Sequence, residues 1–258
     1  PNLNITANSR GGEPGAGSNW NIRGVGSIQG SSAPLVLVDG VEIDLNNVDP
    51  ESIESVSVLK DASASAIYGS RAPFGVILIT TKKGIKSEKV NIQYNNNLSL
   101  ASPIRVASQE NSLTWATAYN QAGANAKSPA PVYSDEQMER IKGYQAGTFK
   151  DEYDPNNPIN GVFAGRRNGN ANYDWAKLMY KENAFHQKHN INVSGGGENT
   201  QFYIAGGYAD QEGLYNYGYD MYNRYNFLTN ISSKITNWLK VNSSLKYAKS
   251  QSDYPLGI

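Results

Sequence analysis

The chain has 258 residues, with 23 Lys plus Arg against 23 Asp plus Glu, so it lacks the basic excess expected of a nucleic-acid binder. It has no Cys, which excludes disulfide staples, thiolate zinc sites and thiol catalysis. No apolar run approaches the roughly 18 residues of a membrane helix, although a transmembrane barrel needs only strands of about 10 alternating residues, so barrels stay open.

The length suggests one large or two modest domains. The N-terminal residues 1–10 contain a short β-like run, Leu3 to Thr6, followed by a Gly/Ser/Asn-rich loop region from Gly11 to Gly30 around Trp20-Asn-Ile-Arg-Gly24. Gly24, Gly26 and Gly30 are spaced G-x-G-x-x-x-G with no strong helix after them, so they read as a loop and not as a dinucleotide fingerprint. Leu35 to Val38 and Val41 to Ile43 then meet at Asp39-Gly40, a pair suited to the positive φ angles of a type I′ hairpin turn. Asp49 can cap one helical turn that Pro50 starts. Ile53 to Leu59 alternates as a third strand. Asp61 opens a short helix, Ala62 to Tyr68, that Gly69 can end. Gly75 to Thr81 is a fourth strand, apolar enough to be buried on both faces, and Lys82 to Lys89 reads as a charged linker.

From Val90 the pattern changes to long two-faced strands. In 90–100, Val90, Ile92, Tyr94, Leu98 and Leu100 oppose Asn91, Gln93, Asn95, Asn97 and Ser99. The same split returns in 187–194, 201–209, 222–232 and 239–247. Between them the connections alternate: 195–199 and 236–238 are short, while 102–184 and 211–221 are long. Tight turns at one end and long loops at the other are a feature of outer-membrane barrels, which places the long segments outside the cell. Within 102–184, Ser108 to Ala122, Ser134 to Gln145 and Tyr173 to Lys181 carry helical spacing, the second opened by a capping box at Ser134 and Gln137.

The order of these pieces, together with Ile22-Arg23-Gly24, PLVLVDGVEI, IESVSVLKDASASAIYGSRAPFGVILITTKKG, NINVSGG and YADQEG, resembles the plug and first barrel strands of TonB-dependent outer-membrane transporters, more narrowly the SusC/RagA family. The implied fold is an α+β plug domain over 1–84, followed by 85–258 as the first five or so strands of a large antiparallel transmembrane β-barrel with a long extracellular loop at 102–184. Family members close with about 22 strands. Five cannot close, and an open edge in lipid leaves backbone groups unsatisfied, so more of the same polypeptide is expected. The chain starts without initiator Met or leader, inside the plug-like stretch, and a longer parent is expected for that reason too.

The resemblance implies active uptake of oligosaccharide or oligopeptide cargo at the bacterial outer membrane, with a SusD-like surface lipoprotein as lid and TonB pulling on a segment upstream of Pro1. It also implies that Arg23 and Lys60 face carboxylates on the inner barrel wall, in strands outside this chain. Where the family usually has a second acid in the third strand, this chain has Ser57. Cargo is expected at the outward loops of the plug, at Ser27, Gln29, Ser31, Asp44, Asn46 and Asn47. No cofactor, metal or catalytic residue is expected: there is no G-x-S-x-G and no H-E-x-x-H. The two histidines, His186 and His189, have an odd spacing that points them to opposite faces of a strand. Asp151, Asp154, Asn156 and Asn157 read as turn chemistry before calcium ligation. Tyr215, Tyr217, Tyr219, Tyr222 and Tyr225 suit a membrane-interface girdle, and a sugar-stacking surface is the second reading. A β-rich glycan-binding module without transport is the alternative for the whole chain, because it shares the Tyr, Asn and Gly bias.

Overall fold

In a computed structural model, the structure describes residues 4–7, 13–22, 33–60, 66–128, 130–154 and 169–255. The chain divides into two compact units, Pro1–Pro103 with Asn183–Ile258, and Ile104–Glu182.

The first unit begins with β1 (Asn4–Ala7) paired antiparallel to β2 (Ser18–Asn21). A mixed sheet follows, made of β3 (Leu35–Val38), β4 (Val41–Glu42), β5 (Ile53–Leu59) and β6 (Val76–Thr81) in the order β4-β3-β6-β5. Asp39 (φ +48°) and Gly40 (φ +86°) make the β3–β4 turn, as the Asp-Gly pair requires. Asp49 caps the 3-10 turn Pro50–Ser52 by accepting the Glu51 N–H, with Pro50 at the first position. β3 and β6 run parallel in the middle of the sheet and are covered on both sides. Ile22, Val38, Val48, Ile77 and Ile79 pack on one face, and Leu35, Leu37, Ala72 and Val76 on the other. Each fully buried aliphatic chain here contributes about 1.5–3 kcal/mol. β5 pairs only with β6, and its middle stays open, with Val56 51% exposed. The start of the expected Asp61 helix lies outside the described residues. The turn from Ala66 is 3-10 and not α, and Gly69 (φ +60°, ψ −144°) is non-helical and separates it from a second short turn that runs to Arg71, so the helical segment ends at Gly69 as its sequence indicates.

The large sheet consists of β7 (Ser87–Ala101), β8 (Ala184–Gly196), β9 (Thr200–Glu212), β10 (Met221–Lys234) and β11 (Lys240–Asp253), antiparallel and in sequence order. These strands are 13 to 15 residues long, more than the alternating apolar segments indicate and more than the roughly 10 needed to cross a bilayer. The ladder continues past the greasy stretches through polar pairs such as Asn223 opposite Gln251, which periodicity alone does not register. β7 likewise starts inside the expected linker, where Lys86 reaches Glu198 at 2.6 Å.

The second unit holds α1 (Ser112–Asn125), α2 (Asp135–Gln145) and the short α3 (Trp175–Met179). α1 starts later than its spacing suggests because the Asn111 side chain accepts the Thr114 N–H and fixes the N-cap. Ser134 caps α2 through the Gln137 N–H, while the Gln137 amide donates to Gly169 O. Ala116, Tyr133 and Ile141 form the core of this unit, and Asn120 fixes Tyr133 through both its N–H and its carbonyl at 2.8 Å.

Candidate functional site

Alternation gives the large sheet two faces, and hydrogen bonds from the mixed sheet identify the inner one. Asn226 Nδ2 donates to Asn47 O at 2.7 Å, and Arg224 donates to Asn46 O at 2.9 Å. Asn230 Nδ2 donates to Thr81 Oγ1 at 2.9 Å and to Lys82 O at 2.8 Å, at the exit of β6. Lys246 Nζ lies 2.7 Å from Asp39 Oδ2, and Asn95 donates to Glu51 at 3.3 Å. Asn190, with its amide nitrogen toward the mixed sheet, donates to Asp49 Oδ2 at 3.1 Å. In each of these contacts the large sheet donates and the mixed sheet accepts. The reverse case is Gly15 N, which donates to Gln211 Oε1 at 2.9 Å.

Two glycines permit this close approach. Gly15 has φ +70°, and a Cβ there would run into the Tyr222 ring. A Cβ on Gly207, in the middle of β9, would sit 2.7 Å from the side-chain amide of Asn190 and 3.0 Å from Asp49 Oδ2. Beside them a cavity of about 270 Å³, lined by Val38, Asp49, Thr81, Leu228 and Lys246 among others, lies between the sheets. It has room for several waters at about 30 Å³ each, so the charges along it are partly screened.

The two carboxylates in this seam differ. Burial raises the pKa of Asp39, but Lys246 and the Thr81 hydroxyl and N–H outweigh it, and the net shift is downward. For Asp49 burial dominates over the Glu51 N–H and the Arg224 charge, and the net shift is upward.

Asp44, Asn46 and Asn47 come together on one 3-10 turn, Leu45–Asn47, at the level of Arg224 and Asn226, nearer the long-connection end of β10 than Asn230 is. Asp44 caps that turn, accepting from Asn46 N at 2.9 Å and Asn46 Nδ2 at 3.0 Å. Ser27, Gln29, Ser31 and Arg23 lie outside the described residues. Lys60 is half-buried at the end of β5, with no ion pair among the described residues.

The outer face is apolar and exposed: Ile92 is 65% exposed, Leu245 57% and Phe227 41%. A row of rings crosses four strands on this face. Tyr94 and His189 stack with centroids 6.1 Å apart, His189 and Tyr208 at 6.3 Å, and Tyr208 and Tyr225 at 5.1 Å. His186 instead turns inward and meets Glu212 O at 3.0 Å, so the histidines diverge as their spacing indicates. The tyrosine run splits: Tyr225 joins the outer row, Tyr222 faces Gly15 on the inner side, and Tyr217 and Tyr219 are exposed in the connecting loop. Asp154 is taken up by Arg140 at 3.3 Å, Asn156 and Asn157 lie outside the described residues, and no acid or histidine cluster fit for a metal occurs among the described residues.

Comparison with known proteins agrees with this architecture. Residues 1–76 match the family model described as TonB-dependent Receptor Plug Domain. The TonB-dependent receptor SusC of Bacteroides thetaiotaomicron is 30% identical over 220 residues, 81% of this chain and 18% of its own length. The TonB-dependent receptor P3 of Formosa agariphila is 30% identical over 246 residues, 95% of this chain and 20% of its own. The structure of the RagAB peptide importer in the open-open state superposes with a TM-score of 0.73 at 30% identity, covering 99% of this chain and 28% of that one. The chain therefore spans about a fifth of the length of the curated relatives it matches.

Proposed function

Since the chain is of the SusC/RagA type among TonB-dependent transporters, with its mixed sheet as plug and its large sheet as barrel wall, we propose that the protein takes up oligosaccharides or oligopeptides across the bacterial outer membrane by TonB-dependent active transport. In this reading 1–84 is the plug, 85–258 supplies the first wall strands, and the outer face of β7–β11 meets lipid. A SusD-like surface lipoprotein covers the extracellular side, and TonB acts through a segment outside these residues. The observation that carries the reading is a sheet with one open apolar face and one polar face hydrogen-bonded to a separately cored mixed sheet. A glycan-binding sandwich would cover the apolar face with a second sheet; among the described residues that face is open.

Cargo is placed at the outward side of the plug, at Asp44, Asn46 and Asn47 with Ser27, Gln29 and Ser31. Arg23 and Lys60 are assigned to wall carboxylates beyond these strands. No step of this function forms or breaks a covalent bond in the cargo. The test is uptake by cells carrying the full-length protein with and without a functional TonB, beside membrane fractionation. Energy-dependent uptake and recovery from the outer membrane are expected; folded protein in the soluble fraction would overturn the reading.

A further inference from the structure

The inner face of the wall carries charge of one sign. On the plug-facing positions of β8, β10 and β11 stand Lys188, Arg224, Lys234, Lys240 and Lys246, and from Asn91 onward no Asp or Glu occupies a plug-facing position on any of the five strands. Asp210, Glu212 and Asp253 fall on the other face by the same alternation. The plug segment laid against this wall is the opposite: from Asp39 to Glu54 there are six acids, Asp39, Glu42, Asp44, Asp49, Glu51 and Glu54, and no Lys or Arg. Three of them reach the wall, Asp39 at Lys246, Asp49 at Asn190 and Glu51 at Asn95, while Glu42 pairs with Arg71 inside the plug. The wall also donates nearly all of the hydrogen bonds across the seam, and Arg224 Nε is buried there without an acceptor.

We propose that the plug-facing side of β8–β11 is an anion-binding track, occupied at rest by the acidic segment Asp39–Glu54, and that the matching cargo is an acidic oligosaccharide bearing carboxylate or sulfate groups. This rests on the plug-and-barrel reading. Two features favour a saccharide over an acidic peptide. The cations are set among amides and hydroxyls, Asn95, Asn190, Asn226 and Ser244, which suit a chain rich in hydroxyls, and the apolar inner positions Ala205 and Leu228 are already buried under the plug. A chain of anions entering the lumen competes with the plug carboxylates for the same donors and loosens the plug where it is displaced.

The test uses the full-length transporter in detergent at low salt, with Ser52→Cys as reporter. Ser52 is 6% exposed in the capped turn that lines the seam, these 258 residues hold no Cys, and any Cys elsewhere in the full-length protein is first replaced by Ser. The rate of maleimide labelling at the introduced thiol is measured with hexagalacturonate, maltohexaose or hexaglutamate added. Hexagalacturonate is expected to speed labelling about fivefold, the effect of one partly screened ion pair. Maltohexaose should leave the rate unchanged, and Lys188→Gln with Arg224→Gln should abolish the acceleration, read as the ratio with and without anion. Equal acceleration by maltohexaose, or full acceleration in the double variant, overturns the track. Acceleration by hexaglutamate alone overturns the saccharide class. These outcomes leave outer-membrane location and TonB-dependent uptake untouched, so failure of the track is distinguishable from failure of the transport reading.

Discussion

Lys246 on the wall and Asp39 in the plug hairpin turn lie 2.7 Å apart, each side chain 21% exposed, and Thr81 donates to the same carboxylate through both N–H and hydroxyl. The turn is thus held from its own sheet and from the wall at once. Asp39→Asn removes the charge from this network and should loosen the plug by on the order of 1–2 kcal/mol, the value of a charged hydrogen bond discounted for the wet seam. Limited proteolysis of the plug in the detergent-purified transporter measures this; an unchanged cleavage rate would show that the pair contributes nothing.

Asp49 should behave in the opposite way. Its pKa is raised in the folded protein, so its contribution is present below the unfolded value near 3.8 and is lost as pH rises through the folded value. Asp39, with a lowered pKa, contributes above 3.8, and that contribution is lost as pH falls through its folded value. At neutral pH Asp49→Asn is therefore expected to leave plug protection equal to or above that of the parent, while Asp39→Asn lowers it. On acidification toward pH 3 the difference between parent and Asp39→Asn should shrink. Proteolysis across the pH range with an acid-tolerant protease reads both signs, and a larger loss from Asp49→Asn than from Asp39→Asn at pH 7 would reverse the assignment.

Gly207 and its neighbour Gly206 separate space from backbone. Gly207→Val places a Cβ against Asn190 and Asp49, whereas the nearest atom to a Cβ on Gly206 is Ile191 Cγ2 at 3.7 Å, an ordinary contact on the outer face. Gly207→Val should expose the plug to protease and Gly206→Val should not. Equal exposure in both would mean that the effect is a general weakening of β9.

Much of this was legible in the sequence. Asp39-Gly40 signalled a hairpin turn with positive φ at both central residues, Asp49-Pro50 announced its cap, and the strict alternation in 222–232 sorted Asn226 and Asn230 from Phe227 and Ile231 before any partner was known. The plug-to-wall partners were not legible, because a cross-sheet contact depends on the register of two sheets and leaves no local pattern. Ala205 is the instructive case. Alternation puts it on the polar, lumen side, where a charge would be harmless, yet it is 8% exposed with Tyr203 and Leu228 beneath the plug. Ala205→Lys would therefore bury a charge beneath the plug, although alternation alone makes the position look harmless.

A sound pair for the two faces lies on β11. Leu245 is 57% exposed on the outer face and Ser244 faces inward with open space. Leu245→Lys is expected to cost about 2–4 kcal/mol if the residue sits near mid-depth in lipid, and Ser244→Lys close to nothing. Heat-modifiable migration of the full-length protein reports assembly. Equal yields of assembled barrel would mean the outer face is not in lipid.

If cargo binds where it is proposed, at Gln29 and the Leu45–Asn47 turn with its cap Asp44, Gln29→Ala with Asp44→Ala should weaken binding, each lost hydrogen bond being worth about 2- to 12-fold in affinity. Asp44 also caps the turn through Asn46, so the thermal midpoint of the variant is measured beside calorimetric binding. Parent-like affinity at an unchanged midpoint would move the cargo site away from this turn.

In the proposed function the mixed sheet is a plug seated in the barrel, and transport requires it to leave the wall. Thr81 Oγ1 and Asn230 Nδ2 are 2.9 Å apart across the seam, in a chain without cysteine. Thr81→Cys with Asn230→Cys in the full-length protein, joined by a short reducible bis-maleimide, should tie β6 to β10 across a gap too wide for a direct disulfide. The deciding measurement is energised uptake by whole cells before and after reduction. Uptake is expected to be blocked while the bridge is closed and to return on reduction, whereas full uptake through a quantitatively bridged protein would show that the plug need not leave the wall.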